Sequence, residues 1–448
     1  MDDALEPLYT AAGMRALEEE YPGFPETAPE LMERAGTAVA LHALQAYPHA
    51  RRFAVVCGGG SNGGDGRIAA RVLREAGRDA VETTAVEQAD VIVDALFGTG
   101  FDGVPRDEAA ATIARVNAAG VPVVAVDVPS GVDASTGRVP GAAVRADLTV
   151  TFGGAKVGLR VAPGAFHAGD VVVADIGLGE GRTDHAHVGA RVLELVPEKG
   201  PHDTKYTAGS VLVVGGAPGM TGAACLAAEA AFRADAGYVA VAVPAASLPV
   251  VEAKLLEPVK TTWDDLEGAL ARARAVAAGP GLGRTGEARE LVQRLLAEAD
   301  VPVVLDADAL FELEPGRWRP PVVLTPHSGE LGRLLDEEPE WIDANRLEAV
   351  QRAAERFGCV CLLKGSDTLV AAPGEGVLVC GPAPASLATA GSGDVLAGVL
   401  AAYLAKGLAP RLAAAAAAVA TAQAARLVPH RRGVVAGDLL AALPLVHG

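Results

Sequence analysis

The chain has 448 residues, half of them apolar, with 38 Lys+Arg against 56 Asp+Glu and a net charge of −18. At about 150 residues per domain this length asks for two or three domains with real cores, which excludes a disordered tail protein. Both halves are acidic, so neither offers the clustered positive charge that a nucleic acid or an anionic membrane demands.

The opening MDDALEPLYT has neither the basic region nor the apolar stretch of a secretory signal. Cys57, Cys225, Cys359, Cys361 and Cys380 show no zinc-type or CxxC spacing. A cytoplasmic protein with small, buried thiols is therefore expected. Short β-branched runs then alternate with Ala/Leu/Arg helical patterns, the mark of parallel α/β architecture. The first half predicts strands at 52–58, 89–96, 121–128, 146–153 and 169–176. The pattern decays after Ile176, which places a boundary near 185–205. It restarts with strands at 209–219, 238–244, 275–283, 301–310, 321–327, 359–365 and 368–374. The Ala-rich stretch at 412–428 carries Thr421, Gln423 and Arg426. It falls short of the ~20 strongly apolar residues of a membrane span and reads as a buried packing helix. Spacings differ between the halves, so two unlike α/β domains in tandem are expected rather than a repeat.

The first chemical signal is CGGGSNGGDG at 57–66, a strand followed by glycines and a helix. Glycine permits positive φ and close backbone approach, and a helix N-terminus offers unpaired N–H groups to a phosphate. A sharp strand-to-helix turn needs glycine anyway, and the spacing is not GxGxxG. Asp94 and Asp127 fall at the carboxyl ends of predicted strands, where open α/β sheets place their sites. Lys156, one of only seven lysines, follows another strand in the same way.

LMERAG (31–36), CGGGSNGGDG, VDALFGTGF, VDVPSGVDASTG and ADLTVTFGGAKVGL, in this order, resemble the NAD(P)H-hydrate epimerase family over roughly residues 8–180. The resemblance implies a Rossmann-like three-layer domain at 1–190. It places Ser61, Asn62, Gly63, Gly64 and Asp65, the loop Gly98, Thr99, Gly100, Phe101, Asp102, Gly103 and Val104, and Asp127 against the hydrated dinucleotide. It also implies a potassium ion on Asn62, Asp94 and Ser130, oxygen donors suited to a hard cation. Asp127 and Lys156 are the acid/base candidates. Ser61 stands where the family usually has Asn, and a hydroxyl can still donate a hydrogen bond.

The second half carries TAGSGDVLAG at 389–398. Glycines there can turn successive N–H groups toward one anion, backed by a helix N-terminus, with Asp394 in the first turn. A carboxylate beside an anion hole is useful if it takes a proton from a hydroxyl attacking a phosphate. A simple acid at a helix N-terminus, favourable by about 0.3–1 kcal/mol, reads equally well from that motif alone. With AGPGLG (278–283), VVLDADAL (303–310), LTPHSGE (324–330), LLKGSDTLV (362–370) and GVVAGDLLAALP (433–444), this half resembles the ADP/ATP-dependent NAD(P)H-hydrate dehydratase family. The resemblance implies a ribokinase-like α/β domain at 200–448 that takes an adenine nucleotide, ADP or ATP, with magnesium. Ala223, Gly281, His327 and Asp394 would touch the hydrate, Asp394 as general base. Lys364, Gly365, Ser366, Asp367, Thr368 and Gly393 would hold the nucleotide. His327 by itself reads more readily as a structural histidine, and Ala390 replaces a glycine usual in the family.

Together the halves imply repair of hydrated NAD(P)H: epimerisation of the R and S forms, then nucleotide-driven dehydration of the S form with release of phosphate. The rival reading is a ribokinase-like kinase for a vitamin precursor, with a non-catalytic N-terminal interaction module. The expected partners are the hydrates and the nucleotide, with no nucleic acid and no membrane, and with homo-oligomerisation left open.

Overall fold

A computed structural model describes residues 4–446. The chain divides into two compact units. One is made of Pro7–His185 with Asp343–Leu347, the other of Ala186–Ile342 and Glu348–Gly448 with the N-terminal residues through Glu6.

The first unit holds a six-stranded sheet, parallel throughout. Its order is Asp79–Glu82, Arg52–Cys57, Val91–Ala95, Val123–Val126, Leu148–Phe152, Asp170–Ala174. The run of Val, Ile and Ala in these strands suits a sheet covered on both faces. Val55, Val93 and Val124 pack with Leu31, Val39 and Leu73 of helices Ala28–Ala46 and Ser61–Glu75. Their neighbours Ala54, Val56 and Ile92 point to the other face, toward Ile113 and Val116 of helix Asp107–Ala118. This is the expected three-layer arrangement. Strand order reverses between Arg52–Cys57 and Val91–Ala95, and the crevice outside the carboxyl ends at such a reversal is the usual ligand site of an open α/β sheet. A short strand, Ala155–Lys156, pairs in parallel through Leu8↔Ala155 and Tyr9↔Lys156.

In the second unit the parallel strands run Val259–Thr262, Tyr238–Val243, Ser210–Val214, Ala275–Ala278, Val303–Leu305, Val322–Leu324, Val360–Leu363. Thr368–Ala371 and Leu378–Cys380 continue the sheet in antiparallel fashion, and His185–Val188 adds in parallel to Leu378–Cys380. The region where the sequence pattern decays thus contains a strand, too short and too rich in His to show periodicity. All seven strands expected in this half are present, shortened at their glycine-rich ends.

The Ala-rich segment is helix Pro410–Leu427, with Ala413 through Ala417 fully buried. Among the described residues no helix is long and apolar enough to cross a membrane. The helix opened by Asp394's turn, Ser392–Ala405, is buried from Val395 to Ala405 and packs on Thr221–Arg233. Contact is close because position 398 is glycine: a Cβ there would lie 2.1 Å from the Ala227 carbonyl oxygen. Gly398→Val should therefore lower stability by about 1–3 kcal/mol or more, read as a lower urea midpoint. An unchanged midpoint would show that the two helices can separate without cost.

Candidate active sites

In the first unit the glycine-rich turn folds differently from its sequence reading. The helix already begins at Ser61, with Gly60 as its N-cap, so Ser61, Asn62, Gly63, Gly64 and Asp65 form its first turns. None of the glycines from Gly58 to Gly66 has positive φ. Close approach is what requires them. A Cβ on Gly63 would meet the Gly58 carbonyl oxygen at 2.0 Å, and one on Gly66 would meet the Ala95 Cβ at 2.4 Å.

The helix start borders a cavity of about 420 Å³. Ser61, Asn62, Asp65, Gly98, Thr99, Gly100, Phe101, Asp127 and Lys156, all named from sequence, line it. Gly63 and Gly64 lie behind this wall, and Asp102, Gly103 and Val104 are not among its lining residues. Sequence reading missed Glu18, Met32 and Phe24, which also border the cavity.

Asp127 directly follows strand Val123–Val126 and has φ +65°. The Val128 N–H donates to the Val126 carbonyl at 2.8 Å, closing a γ-turn of the strained, positive-φ kind. The turn directs the carboxylate to Lys156, whose Nζ lies 2.5 Å from Asp127 Oδ1. Lys156 also donates to Thr151 Oγ1 and to the Phe152 carbonyl, both at 2.9 Å, and Thr151 Oγ1 donates to Asp127 Oδ1 at 3.0 Å. Lys156 is 2% exposed. An ammonium has three N–H donors, and here protein atoms take all three.

Asp94, Ser130 and Asn62 meet around Phe97. Ser130 donates through Oγ to Asp94 Oδ1 (2.6 Å) and through N to Oδ2 (2.8 Å). The Phe97 N–H donates to Ser130 Oγ, and Asn62 Nδ2 to the Phe97 carbonyl. Asp94 is 1% exposed, and no cationic side chain pairs with it among the described residues. Burial pushes its carboxyl up to about 6 against the opposing bonds from Ser130 and Leu96. A buried carboxylate ringed by hydroxyl, carbonyl and amide groups fits a hard monovalent cation.

In the second unit, Gly281 has φ +59°, and a Cβ there would sit 3.2 Å from the Ala223 Cβ. The two positions assigned to the hydrate therefore face each other. Gly391, at φ +89°, is the N-cap of helix Ser392–Ala405, while Ala390 is not among the positive-φ residues, so the glycine usual there is dispensable. Close to Gly393, Lys364, assigned from sequence to the nucleotide, meets Asp306, which sequence reading did not assign. Lys364 Nζ is 2.7 Å from Asp306 Oδ1 and 3.9 Å from Glu330 Oε2. A Cβ on Gly393 would be 3.5 Å from that Nζ. Asp306 is 2% exposed and accepts from Thr325 Oγ1 at 2.8 Å. Asp306 directly follows strand Val303–Leu305 as Asp127 follows its own, whereas the expected strand ran on to residue 310 and hid that position.

Asp394 is pushed up to about 7, by burial first and then by Asp306, with Lys364 opposing. His327 caps helix Ser328–Leu335: its Nδ1 accepts from the Gly329 and Glu330 N–H groups, while Glu330 Oε2 accepts from His327 N. The capping fixes the ring, whose side chain is 57% exposed with Nε2 3.4 Å from Glu330 Oε1. Of the proposed nucleotide stretch, Gly365 and Ser366 are exposed, whereas Asp367 and Thr368 are buried where the antiparallel strand starts.

Comparison with known proteins matches the NAD(P)H-hydrate dehydratase family over residues 211–444 and the YjeF-related protein N-terminus over 28–88 and 78–158. The bifunctional NAD(P)H-hydrate repair enzyme Nnr of Moorella thermoacetica is 37% identical, over 93% of this chain and 92% of that one. The chain belongs to the family of bifunctional NAD(P)H-hydrate repair enzymes. Its second unit is similar to the ADP/ATP-dependent NAD(P)H-hydrate dehydratase from Bacillus subtilis, co-crystallised with ATP/Mg2+, at 30% identity and a TM-score of 0.53 over 57% of this chain and 94% of that one. A ribokinase-like superfamily protein from Enterococcus faecalis shares the fold at 22% identity and a TM-score of 0.53, over 59% of this chain and 96% of that one. Family membership supports the repair reading and not the vitamin-precursor kinase.

The raised Asp394 has a consequence for stability. Below the ordinary carboxyl range it is protonated in both folded and unfolded chains; as pH rises through about 7, the folded state must hold a disfavoured charge, and stability is lost. Asp394→Asn should match or trail the parent near pH 4 and exceed it by several degrees in thermal midpoint near pH 8. A difference that does not vary with pH would show that the carboxyl is not shifted.

Proposed function

We propose that this chain repairs hydrated NAD(P)H in two steps, with residues 1–190 as the epimerase and 200–448 as the dehydratase. The observation that carries the reading is Asp394 beside Gly393, with the Lys364–Asp306 pair at the same helix N-terminus. Hydroxide is a poor leaving group and phosphate a good one. Asp394, ionised above about pH 7, takes the proton from the hydrate's ring hydroxyl as that oxygen attacks the terminal phosphate of ADP or ATP. Backbone N–H groups of the Gly391–Gly393 turn and the Lys364 ammonium receive the charge of the transferred group. The ring nitrogen then expels phosphate, and reduced nicotinamide returns. Ala223, Gly281 and His327 hold the hydrate, and Lys364 through Thr368 serve the nucleotide, with Gly365 and Ser366 as its accessible part.

Magnesium fits as an ion carried in on phosphate oxygens. Among the described residues no group of three His, Cys, Asp or Glu is placed to cage a metal, and the neighbouring carboxylates Asp306 and Glu330 face Lys364.

In the epimerase, Asp127 acts on the hydroxyl-bearing carbon beside the ring nitrogen, and Lys156 pairs with it and orients it. Ser61 and the Gly98–Phe101 turn bind the dinucleotide, and Asn62, Asp94 and Ser130 hold potassium. The ion would neutralise Asp94 and fix the Phe97–Gly98 turn that forms one wall of the cavity. The chain's five cysteines, all free, suit work in the reducing cytoplasm.

The test is a mixture of hydrate epimers with ADP or ATP, followed by reduced nicotinamide absorbance and by chromatography of the epimers. Asp394→Asn should lower dehydration by roughly 10²–10⁴-fold and leave epimerisation intact, while Asp127→Asn should do the reverse. Equal loss of both activities in either variant would refute the division of labour. Accumulation of a stable phosphorylated alcohol would restore the kinase reading.

A further inference from the structure

We infer that Asp65 is the proton donor to the hydrate's hydroxyl in the N-terminal cavity, with Asp127 as its counterpart base. The inference rests on the epimerase reading of that unit and goes beyond it, because exchanging a hydroxyl between two faces of a ring needs an acid for the departing oxygen and a base for the incoming one. Lys156 is not free for the first task. Its three N–H groups are committed to Asp127, Thr151 and the Phe152 carbonyl, which makes it a positioning residue.

Asp65 is placed differently. It is 9% exposed and lines the cavity, yet its carboxyl makes no hydrogen bond with another described residue. Asp127 differs in having its ion pair and its bond from Thr151 both on Oδ1. The helix carrying Asp65 is held in place, since Gly36 of the neighbouring helix lets the backbone pass where a Cβ would be 2.5 Å from the Asp65 carbonyl oxygen. A mostly buried carboxyl without a protein partner, facing a cavity, is placed to act on what enters that cavity.

Charge counting says which form it takes. Glu18, Asp65 and Asp127 border the cavity with the single ammonium of Lys156, so one carboxyl does best by keeping its proton. Asp127 has the lysine. Asp65 is pushed up to about 8 by burial first, then by Asp127 and Glu18, with Lys156 opposing. Glu18, contributed by helix Ala11–Glu19, is raised by partial burial and by Asp127. Asp65 is then the proton-bearing member and Asp127, paired with Lys156, its counterpart, the pairing that divides acid from base in other two-carboxyl sites.

The step balances without an added reagent. The ring nitrogen's lone pair forms a C=N bond as the carbon–oxygen bond breaks, and the Asp65 proton joins the departing hydroxyl to give water. Water then attacks the planar carbon from the opposite face and gives a proton to Asp127 while the C=N electrons return to nitrogen. The net change is one proton moved from Asp65 to Asp127, which returns through solvent in the cavity. The other epimer runs the same path backwards with the roles exchanged.

The experiment uses the full chain with separated R and S hydrates and no nucleotide, following epimerisation by chromatography. Asp65→Asn should lower kcat by roughly 10²–10⁴-fold with KM changed by less than about threefold. An unchanged circular dichroism spectrum and thermal midpoint report a folded N-terminal unit, and intact nucleotide-driven dehydration of the S hydrate reports the second unit. The parent's rate should fall as pH rises through about 8, and the variant's residual rate should lack that basic limb. A variant with parental kcat, a change confined to KM, or a parent rate flat to about pH 10 would each overturn the assignment of Asp65. A parent that dehydrates the S hydrate and never interconverts the epimers would overturn the epimerase reading and this assignment with it.

Discussion

A buried ammonium cannot be left without a carboxylate, and both catalytic centres are organised around that constraint. Lys156 has almost no exposure and Lys364 is 20% exposed in its side chain. Each meets an Asp at the carboxyl end of a parallel strand, Asp127 in one unit and Asp306 in the other. Moving two charges from water into a protein interior costs several kcal/mol per ion, recovered only with good geometry and further hydrogen bonds. Thr151 supplies such bonds in one unit and Thr325 in the other. The pairs therefore add little to net stability. What they fix is where an acid or a base must stand.

That fixing sets the protonation of the remaining carboxyls. In each site the lysine pairs with its own aspartate, and that aspartate lies near a second carboxyl. Asp65 responds in the first unit and Asp394 in the second, both pushed upward by burial and by the paired aspartate. The two outcomes differ usefully. What separates them is what each faces: Asp394 stands at the Gly391–Gly393 turn beside Lys364, and Asp65 faces a cavity it shares with Asp127 and Glu18. In the proposed mechanism one physical arrangement serves both a proton acceptor for phosphoryl transfer and a proton donor for loss of a hydroxyl.

Much of this was legible in sequence. Strand ends chose Asp127 and Lys156, and a glycine turn before a helix chose Asp394, because these rules act over a few residues. Most parallel strands of both sheets were visible for the same reason, as apolar runs punctuated by glycine, but Asp79–Glu82 and Val259–Thr262, four-residue edge strands with polar and charged residues, were not. The Lys364–Asp306 pair spans 58 positions and depends on which strands lie next to each other, which periodicity does not report. Asp306 fell inside the strand expected over 301–310, which ends at Leu305 in the structure, so the strand-end rule did not single it out. Thr151 did leave a trace: a hydroxyl in a strand whose every residue is buried must have a polar neighbour. The glycines from Gly58 to Gly66 were legible as a motif but not in their cause, since close backbone approach and positive φ write the same letter. Glu18 lies on a helix that ends before the matched family region begins at residue 28, so no motif covered it.

Joining the two activities in one chain needs no special geometry between the units. Breaking a nucleoside phosphate bond makes dehydration effectively irreversible, and that step draws on a single epimer. The epimerase needs no preference of its own: it only has to interconvert the two forms faster than the dehydratase removes one. Mass action then empties both pools, whether the hydrate diffuses between sites or leaves and returns. Carrying both domains on one chain makes their amounts equal at every expression level, so neither form of the damaged coenzyme accumulates for want of the other activity. The selective advantage of the fusion lies in this fixed ratio, which survives any arrangement of the two units in solution.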